Sequence, residues 1–547
     1  MKSKNRQFVL LIVIFLAIPI VSINLSISNL SSVQDLEHKN VFESLKSSTL
    51  YTNSIIINDV NPLLDWANRS AEGICTGSGT SGDPYVISND IIDTSDNYGI
   101  FIQNSRKHFK IINCDIVSAN VYGIALYNTT NGIIEDNQMP SATYGFDLFQ
   151  CNNTTFRNNN CSDSSIGVLI NNAYDLSFKS NDVNDNTFDG FNLDNVFDSI
   201  FEDNTVNGNG QDGFDVYTCD SNIFRDNVIQ DNTLNGIILG ASDYNRLESN
   251  TATLNNFGIF LDSSSLFNVV SENTANHNDI DGIHGEGCDY NEFINNVCNS
   301  NDGDGIYIVG CDHTLVSGNT AFNNSLAGIN LISEVNMTIL NNNAYNNKES
   351  GLRLNNVDNS VVEGNNAHDN NWDGIRAQNG CRYNIINDNT ARYNNLSGFY
   401  LLSNTDNNLF YENTASYNNE HGTYLESADD NFITSNIANS NAMNGIHLLD
   451  SDGNSIMSNT ANNNNNGTFL DTSNNNIIYN NVFLGNGDCY NETGSTGNLF
   501  ENNICTSAEL PATPLDPFIL GLIIGLVIGF GALAAVVIFS LVRGRKK

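Results

Sequence analysis

The chain has 547 residues, with 22 Lys+Arg against 61 Asp+Glu and a formal net charge of −39. That balance excludes neutralisation of nucleic-acid phosphates as its main business. Seven prolines exclude collagen-like and proline-rich architectures, and 40% hydrophobic residues exclude a disordered acidic polymer.

Lys2, Lys4 and Arg6 precede an apolar run over residues 8–21, so residues 1–22 read as a secretory signal or an uncleaved signal anchor. Residues 23–70 show no repeat and read as a cap or linker, because the open end of a strand stack is an edge that recruits other chains. From 71 to 506 a repeat takes over. A Gly followed by an apolar-x-apolar triplet recurs 17 times from Gly99 to Gly467, at intervals of 22–24 residues. A second register runs in step with it. Asn204, Asn227, Asn250, Asn273, Asn296, Asn319, Asn342 and Asn365 are spaced by 23, and Asn389, Asn413, Asn436 and Asn459 continue at 23 or 24. An apolar residue stands three positions before each of them.

The apolar positions alternate with period two, and Asn, Asp, Ser and Gly separate the short runs, which argues strands joined by tight turns. No repeat has room for a long amphipathic helix, so helical repeat arrays are excluded. The expected fold is all-β: a right-handed parallel β-helix of about 17–18 coils, each strand pairing with its copies about 4.8 Å above and below. Such a stack would be a stiff rod about 85 Å long. Asparagine, at 99 residues, is the compositional anomaly. It is expected to form a side-chain amide ladder at the corners, helped by its tolerance of left-handed backbone.

After the repeat, residues 507–517 read as a proline-bearing spacer, 518–542 as a transmembrane helix of 25 uncharged residues, and 543–547 as a basic cytoplasmic tail. This places the bulk of the chain outside a single-pass membrane protein. Gly521, Gly525 and Gly529 would let two such helices approach and self-associate. Sequons at Asn68, Asn128, Asn336, Asn395 and Asn491 fit an external domain.

The glycine-started coils and the lead-in over residues 77–87 (GSGTSGDPYVI) resemble the right-handed parallel β-helix surface proteins of the NosD-like, pectin-lyase-like group. The resemblance covers roughly residues 70–505 and speaks to fold far more than to chemistry. It implies two expectations to weigh: action on polysaccharides, and a link to copper delivery.

Strand parity selects one outward position per coil, the middle residue of each triplet. Read in order it gives Phe101, Ala125, Asp147, Leu169, Asn192, Asp215, Ile238, Phe260, His284, Tyr307, Asn330, Arg353, Arg376, Tyr400, Tyr424, His447 and Phe469. The run from Arg353 to Phe469, with His284 and Tyr307 before it, is the candidate binding site. Its rings would stack on sugars and its guanidinium groups would take carboxylate or sulfate. No catalytic set is recognised. Asp147 and Asp215 lie three coils apart, too far for a hydrolytic pair. The acids directly before the repeat glycines (Asp189, Asp212, Asp281, Asp304, Asp373) read as turn formers. The polygalacturonase motifs are out of order: Asn404-Thr405-Asp406 follows His284-Gly285, Asp429-Asp430 comes later, and no Arg-Ile-Lys occurs. For copper there is neither C-x-x-C nor H-x-x-H. The cysteines read as small buried apolar residues, with a disulfide between Cys288 and Cys311 as the alternative, so no cofactor or metal is expected. The reading is therefore a membrane-anchored extracellular β-helix that binds or adheres to an anionic polysaccharide without cutting it. A lyase or hydrolase on the same fold is the alternative, a structural surface component or a copper-related protein the next, and nucleic acid is not a partner.

Overall fold

The structure, a computed structural model, describes residues 48–140 and 142–505. The expected signal, membrane span and basic tail lie outside these residues. Among the described residues no helix is long and apolar enough to cross a membrane.

Short strands stack in parallel through about 18 turns of a right-handed solenoid. A coil such as Phe214–Tyr217, Ile223–Arg225 and Val228–Gln230 pairs, strand for strand, with Asn235–Gly240, Arg246–Glu248 and Thr251–Thr253 in the next. The first and second strands of the coils join one 37-stranded sheet, and third strands form a 10-stranded sheet. The inward strand positions are apolar: Phe156, Phe178, Phe201 and Phe224 stack ring on ring at 4.3, 5.3 and 4.9 Å.

Polar groups inside such a stack must be bonded, and asparagine does this along the axis. In the ladder from Asn137 to Asn503, the side-chain amide of each residue donates to Oδ1 of the next; the pairs Asn204–Asn227, Asn319–Asn342 and Asn413–Asn436 all stand at 3.0 Å. The backbone N–H of each donates to that same oxygen. The left-handed backbone sits one residue earlier than expected. Asp203, Asp226, Ser249, Glu272 and Asn295 carry the positive φ, while the ladder asparagines do not. The preceding residue turns the corner, and the turn aims the asparagine inward.

A second buried ladder, five residues on, runs through Asn186, Asn209, Asn232, Asn255, Asn278, Asn301 and onward to Asn486. It explains the repeat glycine. A Cβ on Gly328 would stand 2.7 Å from Asn347 Nδ2 and 2.7 Å from the Gly351 carbonyl. Crowding by the neighbouring coil, and not a positive φ, requires glycine there.

The solenoid begins earlier than residue 71. Leu50–Tyr51 and Ile55–Asn58 already pair with Ile91–Asp93 and Tyr98–Gln103. They lack the repeat glycine and the ladder asparagine, the two marks by which a coil is recognised. The helix Trp66–Ala71 follows, and Trp66 stacks on Tyr85 at 4.9 Å. At the other end one more rung forms, with Asp488–Thr493 on Asn466–Asp471 and Ile504–Cys505 on Val482–Phe483. Cys505, expected as a lone small apolar residue, is disulfide-bonded to Cys489.

Candidate functional site

The outward column is in register throughout. From Phe101↔Ala125 to Asp215↔Ile238, and from His284↔Tyr307 through Arg353↔Arg376 to His447↔Phe469, each residue faces its counterpart one coil on. Its accessibility is uneven. Phe101 and Ala125 are buried, the former under Tyr98 at a ring distance of 4.4 Å.

In the stretch from Arg353 to Phe469 the rings lie on one another. Arg376 sits 4.7 Å above the Tyr400 ring and 5.7 Å from Trp372. Tyr400–Tyr424, Tyr424–His447 and His447–Phe469 follow at 4.7, 4.8 and 5.0 Å, all stacked. Inside the column the ring faces cover one another, so edges and polar atoms meet solvent. A sugar ring laid flat on successive aromatic faces, as the spacing suggests, does not match this arrangement. Tyr400 Oη donates to Glu426. Both arginines have acidic neighbours: Arg376 Nη1 lies 3.2 Å from Asp373 Oδ2, and Arg353 Nη1 lies 3.2 Å from Glu349 Oε2.

The acids before the repeat glycines do more than form turns. They are buried, and Oδ1 accepts the backbone N–H of the next coil: Asp281 from Asp304 at 2.7 Å, and Asp304 from Ala327 at 2.7 Å. The other oxygen faces the column. Asp281 Oδ2 lies 2.9 Å from His284 Nδ1, and Asp304 Oδ2 accepts from Asn330 Nδ2 at 2.9 Å. Burial pushes the Asp304 carboxyl up to about 7, with the Asp281 charge adding to it. Burial likewise raises Asp212, Asp215 and Asp373 to about 6. His284 stacks on Tyr307 at 4.7 Å, so the two earlier candidates join this acidic row.

His421 escaped the sequence reading because it occupies the pre-glycine row, where acids are the rule. Its Nε2 lies 3.2 Å from His447 Nδ1. Burial lowers His421 to about 3, with His447 adding to the effect, and burial lowers His447 to about 4.

Five buried polar atoms along this strip have no hydrogen-bond partner: Asn330 Oδ1, Ser350 Oγ, Arg353 Nε, Ser397 Oγ and His447 Nε2.

The stacked coils, ladders and lateral strip define a right-handed parallel β-helix protein. The chain belongs to the family described as "Right handed beta helix region", whose profile matches residues 98–252, 167–310 and 257–415. Residues 412–507 further match the profile "Periplasmic copper-binding protein (NosD)". No curated protein matches the chain. Among solved structures it is similar to the mannuronan C-5 epimerase AlgE6 A-module of Azotobacter vinelandii, at 10% identity, with 76% of this chain and 92% of that one covered and a TM-score of 0.29. It is similar to the pectate lyase Pel9A at 14% identity, with 51% and 71% covered and a TM-score of 0.25. The PL6 family polysaccharide lyase Pedsa3628 from Pseudopedobacter saltans gives 11% identity, 56% and 81% covered and a TM-score of 0.33.

Of the donors in 412–507, one pair of imidazoles bears on the copper of the second description. His421 and His447 approach each other, but among the described residues no third His, Cys, Asp or Glu donor completes a group with them. Cys489 and Cys505 are consumed by their disulfide.

Proposed function

We propose that the solenoid is displayed outside the cell on a single C-terminal membrane span and holds a linear acidic polysaccharide along the strip from His284 to Phe469. The observation that carries this reading is the in-register column from Arg353 to Phe469, two guanidinium groups followed by stacked rings on one lateral strip. Guanidinium groups take carboxylate and sulfate groups by paired, charge-assisted hydrogen bonds. The two arginines, each beside an acid (Glu349 and Asp373), offer guanidinium groups in a chain of net charge −39. Because the ring faces are mutually covered, recognition rests on polar edges and guanidinium groups. The test is binding of the full chain to immobilised acidic and neutral glycans, with Arg353→Ala and Arg376→Ala. Retention on the acidic glycan should fall tenfold or more in the double variant, and unchanged retention would remove the site. Release of the protein from membranes by detergent and not by salt checks the anchor.

A second reading, chemistry on the bound glycan, is favoured by Asp304. A carboxyl near 7 can give or take a proton at neutral pH. New reducing ends or unsaturated products that disappear in Asp304→Asn would establish it.

A further inference from the structure

Cys288 and Cys311 occupy the same inward corner in consecutive coils, and both are fully buried. Their Sγ atoms are 2.7 Å apart. That is closer than the ~3.5–4.0 Å at which even carbon atoms rest in contact, so the corner is too tight for two separate thiols. The stacking distance of the coils, about 4.8 Å, lies inside the Cα range that a disulfide bridges. Two further features point the same way. Cys288 N–H donates to Cys311 Sγ at 3.0 Å, which holds the lower sulfur under the upper residue. And Gly285 stands where neighbouring coils carry Leu261 and Ile308; a Cβ there would come within 2.9 Å of Cys288 Sγ and 3.7 Å of Cys311 Sγ. The coil gives up an apolar side chain at the one place where it would press on the sulfur pair.

We propose that Cys288 and Cys311 are joined by an interior disulfide that ties two successive coils together. Each thiol loses its hydrogen, one S–S bond forms, and the two electrons and two protons pass to the disulfide of a thiol-oxidising protein or of oxidised glutathione, which becomes a dithiol or a pair of thiols. Because both sulfurs are buried in the finished stack, the bond forms while the coils are still closing. The Cys489–Cys505 disulfide of the last rung serves as an internal reference.

The full chain is refolded in detergent with excess oxidised glutathione, denatured in the presence of an alkylating agent without reductant, and mapped by peptide mass spectrometry. The expected result is a cross-linked peptide pair containing Cys288 and Cys311, two hydrogens lighter than the separate peptides, beside the Cys489–Cys505 pair. In parallel, reductant should lower the melting temperature of the parent more than that of Cys288→Ser/Cys311→Ser, in which only the terminal bridge is left to reduce. Alkylated or glutathione-capped Cys288 and Cys311 in the folded protein, or pairing of either with another cysteine, would overturn the proposal. Equal effects of reductant on the parent and the double variant would do the same.

Discussion

Replacing Asn319 by Ala removes a mid-ladder side chain that is fully buried. Asn319 Oδ1 accepts from Asn296 N at 2.9 Å and from Asn296 Nδ2 at 3.0 Å, and Asn319 Nδ2 donates to Phe293 O at 2.9 Å and to Asn342 Oδ1 at 3.0 Å. Two of these partners have alternatives: Asn296 Nδ2 keeps the Val270 carbonyl, and Asn342 Oδ1 keeps the Asn319 N–H. The substitution therefore takes the acceptor from the Asn296 N–H, whereas the Phe293 carbonyl keeps the strand N–H of Ser317 from the next coil. At about 1–3 kcal/mol for a buried polar group left unpaired, Asn319→Ala should cost about 2 kcal/mol. Asn371 is exposed and has no side-chain hydrogen bond, so Asn371→Ala should stay within about 0.5 kcal/mol. Guanidinium unfolding followed by circular dichroism reads the global change. Hydrogen exchange reads the local one, where the Asn296 amide should lose about thirtyfold protection. If Asn319→Ala moved stability by less than 1 kcal/mol, or the Asn296 amide by less than tenfold, axial hydrogen bonding would not be what holds the coils in register.

Glu334 gives a test in pH. Burial, with the charges of Asp312 and Asp289, pushes its carboxyl up to about 8, while its Oε2 accepts from Cys311 N at 2.7 Å. The folded state thus holds a proton that the unfolded chain releases near the ordinary glutamate value. The stability tied to that proton is present at low pH and is lost as pH rises towards about 8. Glu334→Gln should flatten this slope, raising the melting temperature relative to the parent at pH 8.5 more than at pH 4.5; parallel curves would refute it. Gly328→Ala should destabilise by about 3 kcal/mol, since its Cβ collides with a ladder amide and a carbonyl. Gly310→Ala, with nothing within 4 Å and only a positive φ to resist it, should cost about 1 kcal/mol. Equal denaturation midpoints for the two would refute the crowding argument. Tyr424→Ala breaks the ring stack between Tyr400 and His447 and should cost about 2 kcal/mol in the same assay whether or not a glycan is present. A loss of glycan binding without a loss of stability would show that the rings act on the ligand instead.

The period of the repeat was legible because crowding and ladder bonding both demand one residue type at one place, Gly at Gly328 and Asn at Asn319. The second ladder was equally legible. Asn209, Asn232 and Asn255 follow Asn204, Asn227 and Asn250 by five residues, a signal overlooked in a chain so rich in asparagine. The early coil at Leu50–Asn58 escaped because two isolated apolar runs without glycine or ladder asparagine carry no period. For the site, parity placed each column residue on the right strand position. Parity could not say that the rings would lie on one another, nor that Asp281 and Asp304 would divide their oxygens between the next coil and the column. Those facts depend on side-chain rotation, which alternation along a strand leaves free.

Every bond that Asn319 makes ends on the coil directly above or below it, and the same holds for the strands of that coil. The solenoid is thus assembled like a tally, one mark beside the last, with no mark aware of the total. Evolution can lengthen or shorten such a protein by duplicating or dropping whole 23-residue units, and the reach of the molecule becomes a heritable quantity independent of its cross-section.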